Sequence, residues 1–239
     1  MTNPDDSYEY PGNELDLFAE AHHWKRYWHS RITPYLDGNV AEIGAGIGSN
    51  TELLRSDKQN RWLCVEPDRG LNQRLAKTVQ KMDSSLSCET LLGTSDDVSD
   101  AGSFDSVIYM DVLEHIEADG EEVGNAARLL RPGGYLVMLG PAHNFLYSPF
   151  DEHVGHVRRY DTRNLPETDS STLQMIHCEF LDSVGMLASL ANRMLLRSSL
   201  PTLGQIKTWD NWMVPLSRIL DPLTGRRLGK SILVVWEKQ

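Results

Sequence analysis

Short apolar segments alternate with longer segments of helical periodicity along most of the chain. The apolar segments predict seven strands, at Asn39–Ile43, Arg61–Glu66, Ser87–Leu92, Phe104–Tyr109, Gly134–Leu139, Leu173–Phe180 and Ser231–Trp236. The segments between the first five strands have helical periodicity and predict helices at Asn50–Arg55, Leu71–Met82, Val112–Ile116 and Glu121–Leu130. A turn at Arg131–Gly134 ends the last of these helices. Such alternation is typical of a parallel sheet with helices on both faces. The pattern therefore predicts an α/β fold.

Three segments do not follow this alternation. Asn13 is a candidate helix cap, and apolar residues recur every three to four positions after it, at Leu15, Phe18, Trp24, Trp28 and Ile32. We expect a helix there that packs on the domain. Residues 141–171 predict a loop rich in His, Arg and Asp, whereas residues 184–229 predict helices bounded by Pro201, Pro215 and Pro222. Because no repeat or linker divides the chain, we expect a single domain over residues 1–239.

Composition and charge narrow the possible functions. No apolar run in the 239 residues approaches the ~20 needed to span a membrane. The acidic N-terminal sequence lacks the apolar core of a secretory signal, and the three cysteines form no paired framework, so we expect a cytoplasmic protein. The net charge of −11 argues against nucleic acid as a partner. Residues 191–239 are basic, with eight Lys or Arg against three acids, and either face an anionic substrate or cover the rest of the fold.

The strongest functional signal is a glycine turn between the first predicted strand and the first predicted helix. Gly44, Gly46 and Gly48 follow the spacing G-x-G-x-G. Glycines suit this turn because the chain reverses sharply and a ligand has to approach the backbone. A dinucleotide-binding fingerprint, G-x-G-x-x-G, needs its third glycine at position 49, where the chain has Ser49.

Two acids beside this turn distinguish between classes of cofactor. Glu42 precedes the first glycine by two positions, and Glu66 ends the second predicted strand. A pyrophosphate next to Glu42 is disfavoured because both groups are anionic, whereas S-adenosylmethionine carries an ammonium and a sulfonium and no phosphate. An acid in the position of Glu66 is placed to accept hydrogen bonds from ribose hydroxyls. The pair favours S-adenosylmethionine, and an NAD-dependent oxidoreductase is the alternative.

Residues 36–140 resemble the class I S-adenosylmethionine-dependent methyltransferases. The resemblance rests on the glycine turn, the two acids, the segment Phe104–Ile116, which is similar to the family's fourth-strand motif, and the turn Leu130–Gly134. It implies a Rossmann-like, mostly parallel, seven-stranded sheet with an antiparallel last strand. It also implies an N-terminal helical lid (1–35), a cofactor-binding core (36–140), a substrate-side loop with helices (141–229) and a final strand (230–239).

The resemblance further implies which residues contact the cofactor. After the third strand, Thr94 stands where the family often has an acid, so that either Thr94 or Asp96 approaches the adenine. Trp24 and Tyr27 lie in a stretch that in related proteins folds over the methionine end of the cofactor, and core packing is the alternative explanation for them. The expected cofactor-binding residues are Glu42, Gly44, Ala45, Gly46, Gly48, Glu66, Pro67, Thr94, Ser95, Asp111, Trp24 and Tyr27.

The segment after the fifth strand carries the candidate acceptor site. It resembles a subgroup of small-molecule methyltransferases that have Gly-His-x-Arg-Arg-Tyr here. His143 is a candidate general base for a hydroxyl acceptor, and Arg158 and Arg159 are candidate clamps for a carboxylate. The alternatives are a structural histidine and an arginine paired with Asp151 or Asp161. Asp151, His156, Arg158 and Tyr160 complete the expected substrate-binding set.

These residues predict methyl transfer to an oxygen of a small molecule. Transfer from a sulfonium is an in-line displacement, which mainly requires alignment and exclusion of water. The fourth strand ends in Tyr109–Val112, and not in the Asn/Asp-Pro-Pro-aromatic run associated with methylation of base or amide nitrogens. We expect a small-molecule acceptor such as a carboxylic acid, no nucleic-acid or membrane partner, and a monomer or homodimer. A cofactor-binding module without catalysis is an alternative.

A metal is not expected from the sequence. Asp151, His153 and His156 have a spacing that a metal ion can use, but no fourth ligand is evident.

Overall fold

The structure, a computed structural model, describes residue 10 and residues 15–82, 87–195 and 201–239. Seven strands form one sheet in the order β3-β2-β1-β4-β5-β7-β6. Strand β7 runs antiparallel to both of its neighbours, and the other six strands are parallel. The strands are β1 Gly38–Ile43, β2 Gln59–Glu66, β3 Ser87–Leu92, β4 Phe104–Met110, β5 Leu130–Pro141, β6 Leu173–Leu181 and β7 Ser231–Lys238. The predicted Rossmann-like fold is confirmed.

Helices cover both faces of the sheet. They are α1 Leu15–Ala19, α2 His22–Ile32, α3 Thr51–Leu54, α4 Arg69–Lys81, α5 Asp119–Leu129, α6 Pro149–Val154, α7 Ser183–Leu195, α8 Leu203–Thr208 and α9 Val214–Leu223. A π-helical turn at Trp209–Met213 joins α8 to α9. The predicted cap Asn13 lies outside the described residues. In the described part of the chain, none of the helices has the length and apolar character needed to cross a membrane.

The alternating direction of side chains along each strand explains why a hydrophobic core forms on each face of the sheet. Successive side chains of a strand point to opposite faces of a sheet. In β1, Val40 belongs to a cluster with Trp28 and Ile32 of α2, whereas Ala41 belongs to a cluster with Val123 of α5. Each of these residues is fully buried or nearly so. The central strands are therefore buried on both faces, as expected for a sheet between two helical layers.

Three predicted elements differ in the structure. The predicted helix Val112–Ile116 is only a 3-10 turn at Leu113–His115. The predicted turn Arg131–Gly134 is an irregularity inside β5, since Phe104 of β4 pairs with Leu130 and Ser106 pairs with Tyr135. The predicted loop over residues 141–171 contains α6, which starts with a capping box between Ser148 and Asp151 and ends at Gly155 in the left-handed region.

The strand order reverses between β1 and β4, the two central strands of the parallel part. In open α/β sheets, ligands bind beyond the carboxyl ends of the strands at this point of reversal. The glycine turn follows β1 directly, so the fold places it there.

Candidate active site

One large cavity lies at the carboxyl ends of the central strands. Its walls include Gly44 after β1, Glu66 at the end of β2, Asp111 after β4 and Pro141 at the end of β5. Its volume is about 1300 Å³. Typical small-molecule sites have roughly 300–1,000 Å³. The cavity is therefore large enough for a cofactor and a second small molecule together.

The three glycines of the turn all have a positive φ, but they serve different purposes. A Cβ on Gly44 would lie 2.5 Å from Val112, and a Cβ on Gly48 would lie 2.9 Å from Leu75. Packing excludes a side chain at both positions. A Cβ on Gly46 would have its nearest neighbour at 3.7 Å, and Gly46 lines the cavity. The backbone at Gly46 is therefore the part of the turn that a ligand can approach.

Glu66 is buried at the edge of this turn and lines the cavity. Its Oε2 accepts a hydrogen bond from the Gly46 amide at 2.7 Å, and its Oε1 accepts one from the Asp68 amide at 2.9 Å. Burial raises the pKa of Glu66, although the two amides act in the opposite direction. The carboxyl group is thus fixed beside the glycine turn, in the position where ribose binding is predicted.

Glu42 lies behind the turn and does not line the cavity. It is buried, and its Oε2 accepts hydrogen bonds from Thr51 at 2.7 Å and from Trp62 Nε1 at 2.9 Å. Its position does not support the predicted contact with the cofactor. The carboxyl group instead connects β1 to the start of α3 beneath the turn.

Glu42→Gln is expected to gain stability relative to the native protein as pH rises. Burial raises the pKa of Glu42 from 4.5 to about 7. A carboxyl group whose pKa is higher in the folded protein than in the unfolded chain stabilises the fold fully below the pKa of the unfolded chain. The native protein loses this stabilisation as the pH rises through the pKa of the folded state, whereas the Gln variant has none to lose. At roughly 1.4 kcal/mol per unit, the free energy of unfolding of the variant should gain about 2–3 kcal/mol on the native value between pH 5 and pH 8. Urea unfolding of both proteins measures the difference, and a constant difference would show that this pKa is ordinary.

The segment after β3 reaches the cavity through Thr94, Ser95 and Asp96. The Thr94 hydroxyl donates to Asp97 at 3.2 Å, and the Ser95 hydroxyl donates to Glu122 at 3.0 Å. Within the described ranges, the Asp96 carboxylate has no hydrogen-bond partner. Of the two residues predicted to approach the adenine, Asp96 is the one with a free acceptor.

Trp24 and Tyr27 of α2 have different environments. Trp24 lines the cavity and packs against Trp209 at 5.9 Å between ring centroids. Tyr27 does not line the cavity, and its hydroxyl donates to Asp221 at 2.7 Å. Trp24 is therefore placed to contact the cofactor, whereas Tyr27 is part of the packing between α2 and α9.

The predicted base, His143, lies outside the cavity. Its ring is stacked between Phe145 and Phe180, with centroid distances of 5.0 and 4.7 Å. Burial lowers the pKa of His143. This placement does not support a role as general base, and it agrees with the structural alternative.

The adjacent arginines of the candidate acceptor segment point in different directions. Arg159 lines the cavity and is held by Asp151 through two hydrogen bonds, of 2.8 and 3.0 Å. Arg158 does not line the cavity and pairs with Asp119 at 2.7 Å. Asp119 also accepts a hydrogen bond from the buried Tyr160 hydroxyl at 2.9 Å. Arg158 and Tyr160 thus form a separate cluster and are not brought to the predicted acceptor site.

His156 is the other predicted substrate residue that reaches the cavity. Its Nδ1 lies 2.8 Å from Asp151 Oδ1. Asp151 itself is fully buried and does not line the cavity. Asp151 therefore positions both Arg159 and His156 and has no direct access to a ligand.

Two more charged side chains line the cavity. Asp111 has a positive φ of 57° and an exposed side chain that faces the cavity, and desolvation by the surrounding protein raises its pKa to about 6 against the opposing effects of His156, Lys230 and Arg159. Sequence reasoning missed Lys230, whose Nζ lies 3.8 Å from Asp182 and 3.6 Å from the centre of the Trp209 ring. A single lysine before a strand has no motif around it, so only the fold reveals its position.

Comparison with known proteins agrees with this site. Residues 41–138 match a family model described as a methyltransferase domain, and the match includes the second half of β1, the glycine turn, β2, β3, β4 and most of β5. Over these residues the chain matches the methyltransferase domain family. The predicted resemblance and the predicted cofactor, S-adenosylmethionine, are confirmed with it.

Several known proteins are similar to this chain. Part of it is 30% identical over 113 residues to a reducing polyketide synthase, grgA, from a Penicillium species. That alignment covers 45% of this chain and 5% of the synthase, so the chain spans a small fraction of this relative.

Two solved structures share the fold of this chain. The geranyl diphosphate C-methyltransferase of Streptomyces coelicolor A3(2) has a TM-score of 0.65 and 14% identity, and the alignment covers 100% of this chain and 85% of that one. A putative methyltransferase in complex with the Haloferax volcanii activator Trm112 has a TM-score of 0.59 and 19% identity. That alignment covers 94% of this chain and 96% of the other chain.

Proposed function

We propose that this methyltransferase transfers a methyl group from S-adenosylmethionine to an oxygen atom of a small molecule. The observation that carries the proposal is that three cationic side chains, Lys25, Arg159 and Lys230, line the same cavity as the glycine turn. Cations in a partly enclosed cavity attract an anionic oxygen, such as a carboxylate, and disfavour a protonated amine. The large volume of the cavity supports a small-molecule acceptor.

The reaction needs alignment more than chemical assistance. A lone pair of the acceptor oxygen attacks the methyl carbon, the bond between carbon and sulfur breaks, and its electrons stay on sulfur, which yields S-adenosylhomocysteine. A carboxylate acceptor attacks as it stands. A hydroxyl acceptor has to lose its proton, and His143 is outside the cavity. Asp111 lines the cavity, and no described residue donates a hydrogen bond to its carboxylate, so it is placed to accept that proton.

The proposal is tested with purified protein, S-adenosylmethionine and a panel of small carboxylic acids, phenols and primary amines. Formation of S-adenosylhomocysteine with an acid or a phenol is the expected result. Turnover with amines alone would contradict methylation of oxygen. The alternative of a cofactor-binding module without catalysis predicts binding by calorimetry and no product with any acceptor.

Lys230→Met is expected to lower kcat/KM for the acceptor by about 10- to 100-fold, because it removes one hydrogen bond to a charged group, worth roughly 1.5–3 kcal/mol. Asp182 keeps hydrogen bonds from Trp209 at 2.7 Å and Ser217 at 2.6 Å, so the fold should tolerate the change. The dissociation constant for S-adenosylmethionine should stay within about twofold. Steady-state kinetics and calorimetry separate the two effects.

The matched control is Lys207→Met, because Lys207 is an exposed lysine near the end of α8. It should leave both constants unchanged. A loss of cofactor affinity in Lys230→Met, with an unchanged KM for the acceptor, would instead place Lys230 on the cofactor side.

A cytoplasmic location and a monomeric or homodimeric state remain predictions.

A further inference from the structure

The carboxylate of Glu114 is buried, and no described residue donates a hydrogen bond to it. Glu114 follows β4 and has a relative exposure of 0%. Neither Oε1 nor Oε2 has a hydrogen-bond partner in the described part of the chain. Leaving a buried polar group unpaired costs roughly 1–3 kcal/mol, and more for a charged one. Buried polar groups of this kind are usually satisfied by a partner, which can be a bound ion.

Two histidines lie next to this carboxylate. His156 Nε2 is 3.7 Å from Glu114 Oε1, which is too long for a hydrogen bond. The ring of His115 lies 4.7 Å from the ring of His156 between centroids, and its Nδ1 is also buried without a partner among the described residues. One ring nitrogen of each histidine and one Glu114 oxygen lie within 4.8 Å of one another.

We propose that Glu114, His115 and His156 bind a divalent transition-metal ion of the zinc class. Two imidazoles and one carboxylate are typical ligands of such an ion, whereas Mg²⁺ and Ca²⁺ prefer sets of oxygen ligands. Two ligands at 2.0–2.1 Å from a tetrahedral ion are roughly 3.3 Å apart. The separation of 3.7 Å between His156 and Glu114 is close to that distance. This proposal departs from the expectation of no metal that the sequence supports.

The surroundings of the three ligands fit an ion. Asp151 holds Nδ1 of His156, and two hydrogen bonds from Arg159 fix Asp151 in turn. A carboxylate on the second nitrogen of a histidine orients the ring and leaves the first nitrogen free for a metal. The charges that act on Glu114 are those of Asp111, Asp151 and Arg159. Two acids and one arginine leave an excess of negative charge around the carboxylate, which favours a dication.

The site also has an opening towards the cavity. His115 and His156 line the cavity, while Glu114 lies behind them. Three protein ligands with one position open to solvent or substrate are characteristic of catalytic zinc sites. The open position would take an oxygen of the acceptor, a step that rests on the proposed function. Binding of the ion itself does not depend on that function.

The test uses the full chain after treatment with a chelator, with Co²⁺ as the probe. Four-coordinate Co²⁺ in a site with two imidazoles and a carboxylate absorbs visible light much more strongly, and at longer wavelength, than hexaaquo Co²⁺. We expect one Co²⁺ per chain, displaced by Zn²⁺ and not by Mg²⁺. Glu114→Gln and His115→Asn each remove a direct ligand, so each should weaken binding by more than the roughly 10- to 100-fold that loss of an outer-shell partner costs. Gln preserves the shape of Glu114, and circular dichroism checks that each variant folds.

The matched control is His153→Asn, because His153 is exposed on α6 and outside the cluster. It should bind Co²⁺ as the native chain does. The proposal is overturned if the native chain binds no Co²⁺, or if Glu114→Gln binds it equally well, which would leave Glu114 and His156 as a buried pair without an ion. Calorimetry with S-adenosylmethionine on the metal-free chain tests cofactor binding separately, and product formation with the acceptor panel tests methyl transfer.

Discussion

Glu66→Gln is expected to weaken the binding of S-adenosylmethionine by about 100-fold. Both carboxylate oxygens are in use, since one accepts from the Gly46 amide and the other from the Asp68 amide. An amide side chain turns an NH₂ group towards one of these donors, so the glycine turn loses an anchor and the predicted ribose contact loses its charge. Each lost hydrogen bond to a charged group costs roughly 1.5–3 kcal/mol. At the lower end of this range two such losses give about 3 kcal/mol, which corresponds to about 100-fold in affinity. Isothermal titration calorimetry measures the change.

The matched control for this change is Glu89→Gln. Glu89 lies on the neighbouring strand β3, and its side chain is 50% exposed and paired with Arg61 on the surface. An exposed pair of this kind contributes roughly 0–1 kcal/mol, so cofactor affinity should not change. Equal affinities in Glu66→Gln and in the native protein would show that the ribose is bound elsewhere in the cavity. Glu42→Gln should have a smaller effect than Glu66→Gln, because only Glu66 lines the cavity.

The strands and the glycine turn are predictable because their signals are local. Each predicted strand is an apolar run, and all seven occur in the structure. The central strands are buried, whereas the edge strand β3 has no fully buried residue. The three glycines and Glu66 lie within one strand–turn–helix–strand unit, so their spacing alone places them together. The elements whose structure differs from the prediction are those that depend on local backbone conformation. One is the 3-10 turn at Leu113–His115, and another is the irregularity in β5 where Gly133 has a positive φ.

The acceptor side is not predictable in the same way because residues distant in sequence form it. Asp111, His156 and Lys230 meet at one cavity although they follow or precede different strands. Nothing in the spacing of His143 and His156 distinguishes the histidine stacked between two phenylalanines from the one in the cavity. Arg158 and Arg159 are neighbours, and in an extended segment adjacent side chains point to opposite sides. The sequence shows that two arginines are present, and only the fold shows which one faces the ligand.

Asp151→Asn is expected to lower the free energy of unfolding by about 3–5 kcal/mol, because it leaves the guanidinium of Arg159 buried without a compensating charge. Asp151 is fully buried and accepts hydrogen bonds from Arg159, from His156 and from the Ser148 amide. The control is Asp161→Asn in the same segment, whose partner Arg163 has a side chain that is 87% exposed. This change should cost roughly 0–1 kcal/mol. Urea unfolding measures both variants.

The double variant Asp151→Asn/Arg159→Met separates the charge from the packing. It removes both buried charges, and replacing a complete buried ion pair is often close to neutral. We therefore expect it to recover most of the stability that Asp151→Asn loses. A small loss in Asp151→Asn alone would mean that Arg159 does not depend on Asp151. In that case the guanidinium would be free to clamp a substrate carboxylate, as the sequence predicts. A large loss of stability in Asp151→Asn that the double variant restores would instead show that Asp151 holds the guanidinium of Arg159 in place. Arg159 would then contact the acceptor only with the part of its side chain that faces the cavity.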